Sequence, residues 1–234
     1  GEYAKLEQTL DAADADGLQA AVRDWQALRS RYVTMRSLNS VRYTMDTTDA
    51  KAKAEKRFID ENEPAFIERN MRIRRRLLAH PRRTALERAF GKRFLDITAV
   101  EVETFDPNIS AHLVRQSGLT TEHTDLLASA KIPFDGQEYN LSGLGKFAQS
   151  PDRDLRHRAV AARAGFFERN AGTLDRIYDD LVTLRHDMAK ALGHLDFTPL
   201  GYRNLTRTDY GPAEVARFRE EVARHVVPFA SELR

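Results

Sequence analysis

From Leu174 to Ala191 the apolar positions recur every three or four residues: Leu174, Ile177, Leu181, Leu184, Met188 and Ala191. That interval matches the turn of an α-helix and not a half-buried strand, whose faces alternate with period two. The same spacing runs through Leu155, Ala159, Ala162 and Phe166 just upstream, with Asp154, Arg158, Arg163 and Glu168 falling between. Charges interleaved in this way leave one helix face buried and the other solvated. Stripes of this kind must be buried against one another, which predicts an all-α protein. Glycine and proline, the residues that interrupt helices, number 12 and 8 in 234, too few to break the pattern often.

Upstream, an opening turn or two carrying Tyr3, Leu6 and Leu10 precedes Gly17. A stripe of Leu18, Val22, Trp25, Leu28 and Tyr32 then predicts a helix to about Met45. Asp46, Thr47 and Thr48 are able caps for a further helix to about Ala79, bent near Pro64 and stopped before Pro81. Shorter helices are expected over 83–90, 94–103, 107–117 (Asp106 as cap, Pro107 first) and 121–130. Ser150 as cap and Pro151 as first residue open the striped helix, and Gly193 reads as the residue just past its end. A loop to Tyr210 leads to Pro212 and a last amphipathic helix bearing Val215, Phe218, Val222, Val226 and Phe229.

One stretch reads as strand. In "KIPFDGQEYNL" the Asp135-Gly136 pair separates Ile132 and Phe134 from Tyr139 and Leu141, a strong hairpin signature. A lone two-stranded ribbon is marginal in water, so it should pack on neighbouring helices. The expected fold is therefore all-α, with long antiparallel helices in two helical subdomains and one small β-hairpin near residues 132–141.

Basic side chains number 37 and acidic ones 35, a net charge of +2 that gives no field demanding nucleic acid or an anionic membrane. The chain contains no cysteine, hence no disulfide, thiolate metal site or cysteine nucleophile, which suits a cytoplasmic protein. No run approaches the roughly 18 apolar residues of a membrane span. The sequence opens on Gly1 and stops at "VVPFASELR" without a terminator, so both ends are expected to be cut.

In "LVTLRHDMAKALGH", residues 181–194, His186 adjoins Asp187 and His194 follows eight positions on. A zinc-binding H-E-x-x-H helix needs histidines four apart, so that both rings reach one ion. Eight residues span about 12 Å of rise and about 80° of rotation, too far for a shared metal within one helix. His80, His112, His123, His157, His186, His194 and His225 include no pair four apart and none followed by Glu. Nucleophile elbows and glycine-rich phosphate loops are also missing. The basic run "RNMRIRRRLLAHPRR", residues 69–83, admits two readings: a track for a phosphate backbone, or a solvated, salt-bridged helix face. Met71, Leu77 and Leu78 interrupt it at core positions and Asp60, Glu61, Glu63 and Glu68 precede it, which favours the second. No nucleic-acid partner is expected.

A specific resemblance nevertheless emerges from "SPDRDLR" (150–156), "FFERN" (166–170), "LDRIYDDLVTLR" (174–185), "AKALG" (189–193), Leu200 to Tyr202 and "RTDY" (207–210). In this order they resemble the oligoendopeptidase F family of zinc metallopeptidases, relatives of thimet oligopeptidase. "FDGQEYNLSGL" and "DTTDA" upstream fit the helical N-terminal region of the same family. The resemblance implies a nearly all-helical protein whose two lobes enclose a channel admitting oligopeptide substrates. It also implies zinc in the full-length enzyme, held by an H-E-x-x-H helix and a later glutamate, which polarises the scissile carbonyl and activates water. That helix lies downstream of the matched part, so no catalytic residue and no metal ligand is carried over, and no cofactor is expected on this chain. By the same reading residues 1–130 are an N-terminal helical lobe and 131–141 a hairpin seam. Residues 142–234 are then the first helices of the peptidase domain, truncated before the zinc motif, and the chain alone is inactive.

Such a chain could still supply channel wall. Tyr202, Arg203, Arg207 and Tyr210 lie between two long helices, where loops present aromatics and guanidinium groups to peptide backbones and carboxylates, and they are the candidate substrate-binding residues. The other reading packs both tyrosines into the helix junction and pairs Arg207 with a nearby acid. Phe218, Val222, Val226 and Phe229 should form an exposed strip that takes a missing C-terminal half or a second copy. A different class of function also stays open, that of a non-catalytic helical interaction protein on the same scaffold. A reading frame continuing past Arg234 into H-E-x-x-H would favour the peptidase.

Overall fold

The apolar periodicity is realised almost everywhere. In the computed structural model, which describes residues 1–233, 81% of the chain is helical and the single sheet has two strands, an all-α fold with one hairpin. The helices are α1 (Glu2–Ala12), α2 (Ala15–Met45), α3 (Ala50–Ala79), α4 (Arg83–Phe90), α5 (Lys92–Val102), α6 (Ser110–Ala128), α7 (Arg153–Ala191), α8 (Phe197–Asn204), α9 (Pro212–Glu221) and α10 (Val227–Glu232). Pro107–Ile109 and Gly143–Gln149 form 3-10 segments, and a π-helical turn, Val222–Val226, joins α9 to α10. No described helix is long and apolar enough to cross a membrane.

Several expected boundaries move. The cap of α3 is Asp49, whose Oδ1 accepts from the backbone N–H of Lys51 (2.8 Å) and Ala52 (3.2 Å), one residue beyond the Asp46-Thr47-Thr48 cluster. Asp152, not Ser150, caps α7, accepting from Asp154 and Leu155 N–H at 2.9 and 3.3 Å. Residues 110–128 form one helix where two were expected, because sealing Leu119 in the core (1% exposed) outweighs the cost of Gly118. Pro64 lies within α3, its ring buried, so the one backbone bond it forfeits is offset by packing. The segment read as a loop after Gly193 contains α8, capped by Asp196 accepting from Thr198 N–H at 2.7 Å.

The chain divides into two compact units, each drawn from separate stretches. One takes Gly1–Ala27, Ile67–Asp106 and the stretch from Ala189 onward; the other takes Leu28–Phe66 and Pro107–Met188. In the first unit Leu10, Leu18, Val22, Trp25, Ile73, Leu77 and Leu86 are all but sealed from water. Burying such side chains is worth about 1.5–3 kcal/mol each. The Trp25 indole donates to Asn70 Oδ1 at 2.8 Å, and the Arg74 guanidinium lies 4.9 Å from the Trp25 ring while pairing with Glu101 at 2.6 Å. Three arginines of the basic run, Arg72, Arg74 and Arg76, pair with acids within this unit. Arg72 pairs with Glu7 and Glu68, Arg76 with Asp11 and Glu7, and Arg75 donates to the Phe105 carbonyl.

In the second unit the Tyr32 ring stacks on Phe66 at 3.6 Å and its hydroxyl donates to Glu63 at 3.1 Å. Tyr43 donates to Asp125, which also receives Lys53 at 2.7 Å. The hairpin pairs β1 (Ile132–Phe134) with β2 (Gln137–Tyr139) in antiparallel register, Ile132 opposite Tyr139 and Phe134 opposite Gln137. Asp135 and Gly136 have φ of 49° and 76°, the two positive angles that a two-residue primed turn requires. Ile132 and Phe134 enter a core with Ala130, Leu144, Ala159 and Phe166, so the ribbon is held by the helices around it.

Candidate functional site

Asp196 starts α8 and the chain turns sharply at its end. Thr206 N–H bonds to the Arg203 carbonyl at 2.8 Å and Arg207 N–H to the Tyr202 carbonyl at 3.3 Å, the two hydrogen bonds of a Schellman ending. The left-handed residue this motif needs is Thr206, with φ 51°. Glycine usually fills that place, and a β-branched side chain there is an outlier.

The turn gathers the four candidate residues. The Arg207 guanidinium carbon lies 4.5 Å from the Tyr202 ring centroid and 5.3 Å from that of Tyr210. Arg203 is committed elsewhere: its Nε donates to Glu103, just past the end of α5, and its Nη1 to the Pro199 carbonyl at 3.4 Å. Tyr202 and Arg207 are half-buried, while Tyr210 is exposed. Arg93, in the first turn of α5, donates to Thr208 Oγ1 at 2.8 Å and ties the loop down. The acid found by an arginine here is thus Glu103, and it is found by Arg203 rather than Arg207. Glu103, Arg93 and Thr208 were not among the candidates, since pairings 100 and 115 residues apart leave no local trace in a sequence.

His186 sits inside α7, and His194 lies beyond its end. There Gly193, at φ 81°, bonds to Lys190 and His194 bonds to Ala189, both at 2.9 Å. Among the described residues no group of three His, Cys, Asp or Glu is placed to hold a metal ion, so the donors present do not fit a zinc site. Elsewhere, in the second unit, an open groove of about 720 Å³ is lined by Leu141, Leu144, Ala148, Val160, Ala164 and Phe167. Its lining is mainly apolar, with Ser142, Arg163 and Glu168 as the polar side chains. On the last helices Phe218, Val226 and Phe229 are 69%, 54% and 60% exposed, and Val222 is partly covered.

A helical scaffold with one hairpin, a tyrosine-arginine loop and, among the described residues, no cluster of metal donors is similar to one part of known peptidases. Residues 1–105 match the model of the peptidase M3 N-terminal domain family. More narrowly, the whole chain is similar to a crystal structure assigned as oligoendopeptidase F (38% identity), to PZ peptidase A solved with an inhibitor (39%), and to an oligoendopeptidase F from Bacillus anthracis str. Ames (35%). Each superposes with a TM-score of 0.96 over all of this chain. The chain spans 41%, 42% and 43% of those three proteins, about two fifths of their length. No curated protein gave a significant match.

Proposed function

We propose that this chain is the N-terminal part of a zinc-dependent oligoendopeptidase that hydrolyses short peptides in an enclosed channel, in a cytoplasmic setting. The observation that carries this reading is the superposition of every element on oligoendopeptidase F and PZ peptidase A structures at 35–39% identity. In this reading residues 1–130 form a helical lobe, 131–141 a seam, and 142–234 the first helices of the peptidase domain. Tyr202, Arg203, Arg207 and Tyr210 face the peptide. Zinc and the water-activating base belong to the part of the enzyme beyond this chain, and no chemical step is assigned to residues described above. The strip of Phe218, Val226 and Phe229 is where the remainder of the enzyme, or a second copy, would cover apolar surface.

The test is to incubate the purified 234-residue chain with an internally quenched peptide, with and without zinc. No chelator-sensitive cleavage is expected. Robust zinc-dependent turnover by this chain alone would show that the division of labour is wrong.

A further inference from the structure

We propose that Arg207 is a preformed carboxylate clamp that receives the C-terminal carboxylate of a bound peptide, an assignment that rests on the peptidase reading above. Three observations carry it. The guanidinium lies against the rings of Tyr202 and Tyr210, at 4.5 and 5.3 Å. A guanidinium can lie against a ring through its charge and flat face while its in-plane N–H donors remain able to bind a planar acceptor. The Arg207 donors have no carboxylate partner among the described residues, whereas Arg203, four residues earlier on the same turn, pairs with Glu103.

The third observation is the backbone. Thr206 adopts a left-handed conformation that β-branched residues avoid, and the turn so formed bonds Arg207 N–H to Tyr202 C=O at 3.3 Å. Strain of this kind persists only where its surroundings over-determine it, and it gathers at binding positions. Here its product is the placement of one arginine beside one tyrosine ring.

The ligand follows from the chemistry. A guanidinium edge matches a planar carboxylate in a bidentate pair, and its charge stays on at any physiological pH. Peptides of varied sequence share one such group, their C-terminus. Arg203 is unsuited to the role because Glu103 already occupies its Nε.

Isotope-labelled chain would be titrated with acetyl-oligoalanine bearing a free C-terminal carboxylate, and with the same peptide amidated. The reporters are the Arg207 Nε–H resonance and the ring protons of Tyr202 and Tyr210. The free acid should shift them saturably, with the amide binding at least roughly tenfold more weakly. Arg207→Met should erase the difference, and Arg207→Lys, which keeps the charge but not the planar edge, should restore part of it. If Arg207→Met fails to fold, Arg207→Lys carries the comparison. Equal binding of acid and amide would overturn the clamp while leaving the peptide-binding reading intact. No shift with either peptide would overturn both.

Discussion

Helices α7 and α8 end with the same hydrogen bonds and different residues. At the end of α7 the left-handed position is Gly193, φ 81°, and at the end of α8 it is Thr206, φ 51°. Glycine adopts that conformation freely, whereas a residue with a Cβ loses about 1–2 kcal/mol in it. The first ending stops a helix with the residue best suited to do so. The second accepts strain and sets Arg207 against two tyrosine rings. One motif therefore serves structure where residue and geometry agree, and marks a candidate binding position where they conflict.

Substitutions at the two endings test this contrast most strongly. Around Gly193 a Cβ would meet nothing within 4 Å, so any cost of Gly193→Val comes from the backbone. A loss of about 2 kcal/mol is expected in urea unfolding; an unchanged midpoint would mean the ending tolerates side chains and the contrast is empty. Thr206→Gly should do the opposite and stabilise the chain by about 1 kcal/mol while loosening Arg207. A destabilised Thr206→Gly variant would remove the strain from the account. Smaller still is Glu103→Gln, which cuts the tie to Arg203. The two side chains are 55% and 35% exposed, so a few tenths of a kcal/mol is the expected loss in the same unfolding experiment.

The subtlest effect is at a helix start. Glu214 accepts from Gly211 N–H at 2.9 Å, and that bond holds its carboxyl below the usual glutamate range. A folded-state pKa lowered in this way adds stability above the unfolded value and loses it as pH falls through the folded one. Far-ultraviolet circular dichroism should therefore show helix loss on acidification that is reduced in Glu214→Gln. Identical acid profiles for the two proteins would remove Glu214 as the group responsible.

Much of the fold was legible because its determinants are local. Spacing of three and four drew α7, Asp135-Gly136 drew the hairpin, and Gly193 drew the helix stop. What escaped depends on distant partners or on competition between neighbours. Asp49 displaced Asp46 as a cap because its carboxylate reaches the N–H groups of both Lys51 and Ala52. Helix α8 was hidden because its eight residues include Pro199 and Gly201, and its buried anchor, Leu200, is held by tertiary packing rather than by a stripe. In the candidate site the four side chains were legible as types, yet their division was not. Which arginine meets an acid and which meets the rings depends on Glu103, 100 residues away, and on a φ angle no threonine advertises.

The most direct measurement is chelator-sensitive cleavage of a quenched peptide by a chimera in which this chain replaces the matching segment of PZ peptidase A. A TM-score of 0.96 over the whole chain makes the exchange conservative. The account predicts a folded, zinc-loaded chimera that cleaves the peptide. A chimera that folds, binds zinc and leaves the peptide intact would contradict it.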